Sequence, residues 1–142
     1  RCIVPADSFY EWTARPGQKK KQPWFIHRPD DEPYAFAGLW EVWRPPGSDD
    51  ELHSCTIITG DANEKMAELH DRMPIILPTD TWDAWLDRDE TDVDLLGKLL
   101  VPAPPSLIEF HPVSTDVNNV RNRGEHLLDP VTLDEPLELG DA

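Results

Sequence analysis

The sequence predicts a single α+β domain, rich in antiparallel sheet and carrying a few short helices. Three observations lead there. Short apolar or aromatic runs with strand-like alternation recur at residues 23–28, 34–43, 54–59 and 107–113. Fifteen prolines are spread along the chain, which favours short strands and loops over long helices. Neither an internal repeat nor a linker-like stretch divides the 142 residues, a length that one domain with a real core accommodates.

The elements follow in order. Residues 2–12, apolar and aromatic, read as a strand, a turn and a second strand. The chain opens on Arg1 rather than Met, directly against strand-like sequence, so a missing upstream piece is expected. Residues 13–22 form a polar, basic loop with Lys19, Lys20 and Lys21, followed by the 23–28 strand and a turn at 30–33. Residues 34–43 read as a long buried strand in which Gly38 marks a bulge or a close backbone approach. Residues 45–51 make a hairpin connection into the 54–59 strand. The turn Gly60-Asp61-Ala62-Asn63 places Asn63 as the N-cap of a short helix through Leu69. Pro74 disfavours helix at Met73, so that helix ends near residues 70–72.

Beyond it, residues 75–77 form a short apolar strand, and Thr79 or Asp80 caps a helix that turns Trp82, Trp85 and Leu86 toward the core. Residues 92–100 are a second amphipathic helix stopped by Val101-Pro102, and 107–113 the last strand. A polar segment at 114–124 precedes one helical turn at 125–128. The domain extends over 1–136, and the acidic tail at 137–142 reads as loose.

Composition narrows the function classes. Aspartate and glutamate number 28 against 13 lysines and arginines, a net charge of −15. Such acidity fits a solvated surface adapted to high salt, or a chain that avoids nucleic acid. At ~1 M salt the Debye length falls to ~3 Å, so long-range repulsion of DNA disappears there and persists in dilute buffer. No apolar run reaches membrane-spanning length and no secretory signal opens the chain, so no membrane partner is expected. Cys2 and Cys55 match no zinc spacing and no histidine pair has ligand spacing, so neither a metal nor a cofactor is expected. A reducing, cytoplasmic location is the default.

Among residues able to carry chemistry, His70 and Arg72 emerge together at a predicted helix end. An acid/base group beside a phosphate-binding group suits a phosphorylated or nucleic-acid substrate, and Thr59 ends the preceding strand. Two solvent-facing surface residues fit the spacing equally well. Glu11 lies between Tyr10 and Trp12, where desolvation by aromatics would fit it for proton transfer near neutrality, or strand alternation would turn it outward. Residues 114–122, with Ser114, Asn118 and Arg121, either line a site or form a plain loop. The six tryptophans invite base stacking, but packing accounts for all except one or two.

Five ordered blocks together resemble the SOS-response-associated peptidase (SRAP) family: residues 1–12, Ala37-Gly38-Leu39-Trp40-Glu41, Thr56-Ile57-Ile58-Thr59 with Asp61-Ala62-Asn63, Leu69-His70-Asp71-Arg72-Met73-Pro74, and Pro112-Val113-Ser114 with Val117-Asn118. The resemblance spans Arg1 to about Pro130. It implies covalent capture of abasic sites in single-stranded DNA in the DNA damage response, with nucleoid association when acting. A cysteine at the mature N-terminus condenses its α-amine and thiol with the ring-opened sugar to a thiazolidine. An α-amine pKa of ~7.7–8.0 leaves a useful neutral fraction for that attack.

By match, Glu11 resembles the family's active-site glutamate and His70 its histidine. Arg72 resembles a phosphate-holding residue, and Thr59 a polar group of the same pocket. Ser114 and Asn118 fall in the last matching block as substrate-binding positions. Cys2 resembles an internal cysteine, so the nucleophile and an active-site asparagine are expected upstream of this chain. Ser8 stands where the family usually has glycine, and Gly60 where a polar residue is common. Two other functions remain open: a thiol autopeptidase that exposes the N-terminal cysteine, and a catalytically inert acidic interaction domain. Strand edges left unpaired by a missing segment would also favour self-association.

Overall fold

The computed structural model describes residues 1–133; the predicted tail at 137–142 and the end of the predicted domain lie outside the described residues. The described residues form eight strands: β1 (Cys2–Ala6), β2 (Ser8–Thr13), β3 (Gln22–His27), β4 (Tyr34–Trp43), β5 (Leu52–Ile57), β6 (Thr59–Asp61), β7 (Arg72–Pro74) and β8 (Glu109–Pro112). Two short helices, α1 (Trp82–Leu86) and α2 (Val93–Gly97), follow β7. The strands form three antiparallel sheets, ordered β1-β4-β5, β2-β3-β8 and β6-β7. The α+β, antiparallel expectation holds.

The opening segment shows how one chain feeds two sheets. β1 pairs with β4, β2 pairs with β3, and only Asp7 separates the two strands. Ser8 opens β2 opposite His27, and Asp31 is the one non-glycine residue with positive φ among the described residues. Serine therefore replaces glycine at position 8 without strain.

The β2-β3-β8 sheet has two unlike faces. Trp24 and Ile26 of β3 are buried in the main core with Tyr34, Phe36, Met66, Leu69 and Met73. Phe9 packs on the same cluster, edge-on to Tyr34 and Phe36 at 5.7 Å from each. Residues directly opposed across a strand pair share a face, so Phe9 and Glu11 lie on the core side, opposite Ile26 and Trp24. Tyr10, Phe25, His27 and His111 gather on the other face.

Backbone hydrogen bonds fasten the small β6-β7 sheet to β4. Ala37 N–H donates to Ile75 O and Ala37 O accepts from Ile58 N–H, each at 2.9 Å, while Ile75 N–H donates to Ile58 O at 2.9 Å. Leu77 N–H donates to Ala35 O at 2.8 Å. The strand expected at 75–77 is thus displaced: the regular strand is Arg72–Pro74, because Thr59–Asp61 supplies its partner, and Ile76 makes only a bridge to Phe36. A Cβ at Gly60 would sit 2.7 Å from Ile75 Cδ1, the movable end of a side chain, so a larger residue there calls for a shift of that methyl rather than of backbone. Gly38 is a close approach as expected, with its missing Cβ 2.8 Å from Cys2 Sγ.

The helix expected from Asn63 through Leu69 contracts to a 3-10 turn at Met66–Glu68. Ala67 N–H to Asn63 O and His70 N–H to Met66 O still bridge one wider turn on either side. The chain must be extended again by Arg72 to join β7, which leaves no room for a longer helix. The 125–128 turn forms as expected, as a 3-10 turn at Glu125–Leu128. Asp92 caps α2 through Asp94 and Leu95 N–H, whereas α1 has no side-chain cap, contrary to the Thr79 or Asp80 expectation.

Burial corrects two further expectations. Only the first half of β4 is buried; Trp40 is 56 % and Trp43 54 % exposed, and β5 is exposed along its whole length. The second half of β4 pairs only with β5, and the exposure of both shows that no further layer of the described residues buries them. Trp82 and Leu86 are also exposed, while Trp85 is only 2 % exposed and donates Nε1–H to Cys2 O at 2.8 Å. Of six tryptophans, Trp24 and Trp85 alone are fully packed, so packing explains fewer of them than expected.

Candidate functional site

Arg72 opens β7 directly opposite Asp61, and Thr59 begins the partner strand. That register brings the guanidinium over β6. Nη2 donates to Thr59 O at 2.6 Å and to Thr59 Oγ1 at 3.0 Å, and Nη1 lies 3.5 Å from Asp61 Oδ1. The arginine is about half exposed, so its remaining donors face solvent. Thr59 and Arg72, paired by sequence reasoning, are in contact.

His70 sits on the connection between the Met66–Glu68 turn and β7. Its Nδ1 is 2.9 Å from Arg72 N–H and 3.0 Å from Asp71 Oδ1. These two contacts belong to different protonation states. When Nδ1 accepts from the Arg72 amide, the neutral ring carries its proton on Nε2. When Nδ1 is protonated, the Asp71 carboxylate receives that proton's hydrogen bond and balances the imidazolium. Both states have a ready partner, which is what a group that gives and takes protons needs.

The loop holding His70 is pinned from beneath by Asn63. Its Oδ1 accepts from Met66 N–H at 2.8 Å, and its Nδ2 donates to Ala103 O at 2.8 Å. The predicted cap is real and buried, and the same side chain also ties the loop to a segment 40 residues away. The turn-and-cap pattern revealed the first bond; nothing in the local sequence announces the second.

Glu11 is half-buried at the centre of β2, opposite Trp24 and on the core-facing side. Thr13, two residues on along that face, accepts from Trp24 Nε1–H at 2.8 Å. The alternative that alternation turns Glu11 to the outer face does not hold. Among the described residues no hydrogen bond or ion pair joins Glu11 to His70 or Arg72. Their link is the shared core: Phe9, on the same face as Glu11, packs against the cluster that contains Leu69 and Met73, the neighbours of His70 and Arg72.

Asn118 and Ser114 belong to a second group at the end of β2. Asn118 Oδ1 accepts from Trp12 Nε1–H at 2.6 Å. Ser114 Oγ accepts from Asp116 N–H at 3.1 Å and caps the 3-10 turn Thr115–Asn118. The Trp12–Asn118 bond was not foreseen, and 106 residues of separation hide it from local patterning. Neither cysteine forms a disulfide: Cys2 packs over Gly38, and Cys55 is exposed on β5. Among the described residues no cluster of three or more histidine, cysteine or carboxylate side chains is arranged to hold a metal ion, and no helix is long and apolar enough to cross a membrane.

Fold and residue pattern together define a class: an antiparallel α+β domain with a histidine–arginine loop beside a short two-stranded sheet. Residues 1–120 match the family model described as SOS response associated peptidase (SRAP), and the chain belongs to that family. It is 43 % identical over 129 residues to the abasic site processing protein YoqW of Bacillus subtilis, covering 91 % of this chain and 57 % of that protein. It is 39 % identical to the abasic site processing protein HMCES of Gallus gallus, covering 98 % of this chain and 46 % of that one. A Bacteroides thetaiotaomicron crystal structure superposes with a TM-score of 0.80 at 22 % identity, over 92 % of this chain and 56 % of that one, which shows the fold. A phage-related protein from Bordetella bronchiseptica has a TM-score of 0.57 at 37 % identity, covering 78 % of this chain and 52 % of that one. The chain spans about half the length of the curated relatives it matches.

Proposed function

We propose that this chain supplies the acid/base and phosphate-holding groups of an enzyme that captures abasic sites in single-stranded DNA as a thiazolidine crosslink. The observation that carries this reading is the His70–Arg72–Thr59 cluster, in a chain whose relatives are named abasic site processing proteins. An abasic sugar rests mainly as a closed hemiacetal. Opening it moves one proton from the C1′ hydroxyl and delivers one to the ring oxygen. His70 Nε2–H is the donor in the neutral tautomer, and Asp71 steadies the ring when both nitrogens are protonated.

An amine then adds to the exposed aldehyde. Loss of one water gives an imine, and a thiol adds across it to close the five-membered ring. Glu11 takes and returns the protons of the carbinolamine step, on the core-facing side of β2. Arg72, anchored on Thr59, holds a flanking phosphate with the donors it keeps free. Ser114 and Asn118 contribute polar groups at the Trp12 end of β2. Cys2 is structural in this assignment, because its sulfur is packed against Gly38.

The test is denaturing electrophoresis of the full-length protein carrying this chain, incubated with abasic single-stranded DNA without borohydride. A crosslink that survives denaturation, slowed by Glu11→Gln and by His70→Ala but not by Cys2→Ala, is expected. No crosslink would leave the inert acidic domain as the better account. A release of N-terminal leader without any DNA adduct would favour the autopeptidase. Self-association is assigned to β5, the exposed outer strand of its sheet, and sedimentation of the protein with and without Ser54→Pro tests it.

A further inference from the structure

We propose that the tip of the β2–β3 hairpin, residues 14–21, is a docking site for the phosphate backbone of single-stranded DNA, separate from the Arg72 position. This inference rests on the function proposed above and names where the strand beyond the abasic nucleotide is held.

Charge along the chain is sharply segregated. Five of the 13 lysines and arginines fall within residues 12–29, a stretch that contains no aspartate or glutamate although the chain has 28. Arg28 is occupied by Asp30, so the surplus concentrates at the tip, in Lys19, Lys20 and Lys21. Carboxylates take cations elsewhere: Arg44 pairs with Glu51, Lys65 with Glu68 and Arg72 with Asp61. Lys19, Lys20 and Lys21 are exposed, and among the described residues no carboxylate pairs with them. A cation run is most often a solvated surface. Three adjacent lysines left unpaired in a chain with this excess of carboxylates are better explained by an anionic partner.

The tip is also placed and rooted for that partner. Gly17, at φ +72°, closes a turn in which Gln18 N–H donates to Arg15 O at 3.1 Å. Buried Gln22 fixes its base through Nε2 bonds to Pro23 O and Val113 O, each 2.8 Å. The same end of the sheet carries Trp12, held by Asn118, only a few residues from the tip. A strand lying along this end would meet ammonium groups at its phosphates and an indole at a base. A single strand also demands little of the protein beyond charge and stacking, which flexible lysines on a fixed root provide.

The probe is an undamaged, fluorescently labelled single-stranded oligonucleotide, titrated by anisotropy with the full-length protein between ~50 and ~200 mM salt. Three neutralised phosphate contacts contribute about −2 to the slope of log K against log salt for single strands. Lys19→Gln/Lys20→Gln/Lys21→Gln is expected to weaken binding at least ~10-fold at the low-salt end and to remove about 2 from that slope. A control with equal loss of charge elsewhere, Arg44→Gln/Arg88→Gln/Lys98→Gln, is expected to keep the wild-type slope. Equal losses in both triple variants would overturn the proposal, because net charge alone would then govern binding. Unchanged DNA binding with altered sedimentation would also overturn it, and would make the tip a contact for another acidic copy of the chain. Wild-type crosslinking to abasic DNA is scored separately. If it fails while the tip variant still loses binding, the capture function falls and the docking site stands.

Discussion

The Arg72 backbone N–H donates to His70 Nδ1 at 2.9 Å, so the residue expected to hold phosphate also fixes the tautomer of the residue expected to move protons. The coupling runs through the main chain and survives any change to the Arg72 side chain. The Asp71 carboxylate, 3.0 Å from the same nitrogen, competes for it only once that nitrogen carries a proton.

Loss of the imidazole is therefore predicted to act on rate rather than on folding. His70→Ala should lower the single-turnover crosslinking rate by ~10²–10⁴-fold, the usual range for a general acid/base. The side chain is exposed, so the melting temperature should stay within about 2 °C. Asp71→Asn should leave the neutral tautomer intact and reduce the rate less. Rates at saturating abasic DNA, read beside thermal melts, check both; an unaffected rate in His70→Ala would remove the histidine from the mechanism.

Arg72 and Thr59 should behave as a coupled pair. Thr59→Val deletes the 3.0 Å contact but leaves the 2.6 Å bond to the backbone oxygen. The guanidinium is half exposed, so the loss is about 1 kcal/mol or less, or roughly 5-fold in DNA affinity. Arg72→Lys keeps the charge but not the planar fork that contacts Thr59 and phosphate together, and should weaken binding further. A double-mutant cycle measures the coupling; strictly additive effects would mean that Thr59 does not position Arg72.

Much of this architecture was legible because it rests on local patterns. The 34–43 run, the Asn63 cap and the Glu125–Leu128 turn each follow from alternation or capping chemistry within a few residues. What escaped depends on distant chain. The 72–74 strand exists because Thr59–Asp61 lies alongside it, and no pattern in Arg72-Met73-Pro74 announces that pairing. Exposure of Trp40 and Trp43 was hidden for a related reason: an apolar alternating strand reads as buried whether or not another layer covers it. At the site, the resemblance to the family grouped Arg72 with Thr59, and the β6–β7 register brings them into contact. No such signal pointed to the Trp12–Asn118 bond, between an early strand and a late loop.

Asn63 should connect stability to function. Asn63→Ala leaves Met66 N–H without the side-chain oxygen and Ala103 O without its donor, both in the interior. Buried polar groups left unpaired cost ~1–3 kcal/mol each, so a fall in melting temperature of several degrees is expected. The loop it pins carries His70, so crosslinking should slow even at temperatures where the variant is folded. A destabilised variant with wild-type rate would show that the loop keeps its geometry without the pin.

Acid stability offers an independent check on the surface. Arg28 donates to both carboxylate oxygens of Asp30, Nε at 2.8 Å and Nη2 at 2.5 Å, and this hydrogen bonding lowers the Asp30 pKa to about 2. The sign follows from the depressed value. The unfolded chain takes up this proton near the ordinary value of 3.8, whereas the folded chain resists until about 2. The stabilisation is complete above the unfolded value and disappears as pH falls through the folded one. Asp30→Asn removes it, so the variant should start slightly less stable than the wild type near neutrality, by an amount kept small by exposure, and should lose less between pH 4 and pH 2, the gap closing on acidification. Urea midpoints at matched ionic strength across that window measure it. Parallel acid limbs for the two proteins would mean that the ion pair is as well formed in the unfolded chain as in the folded one.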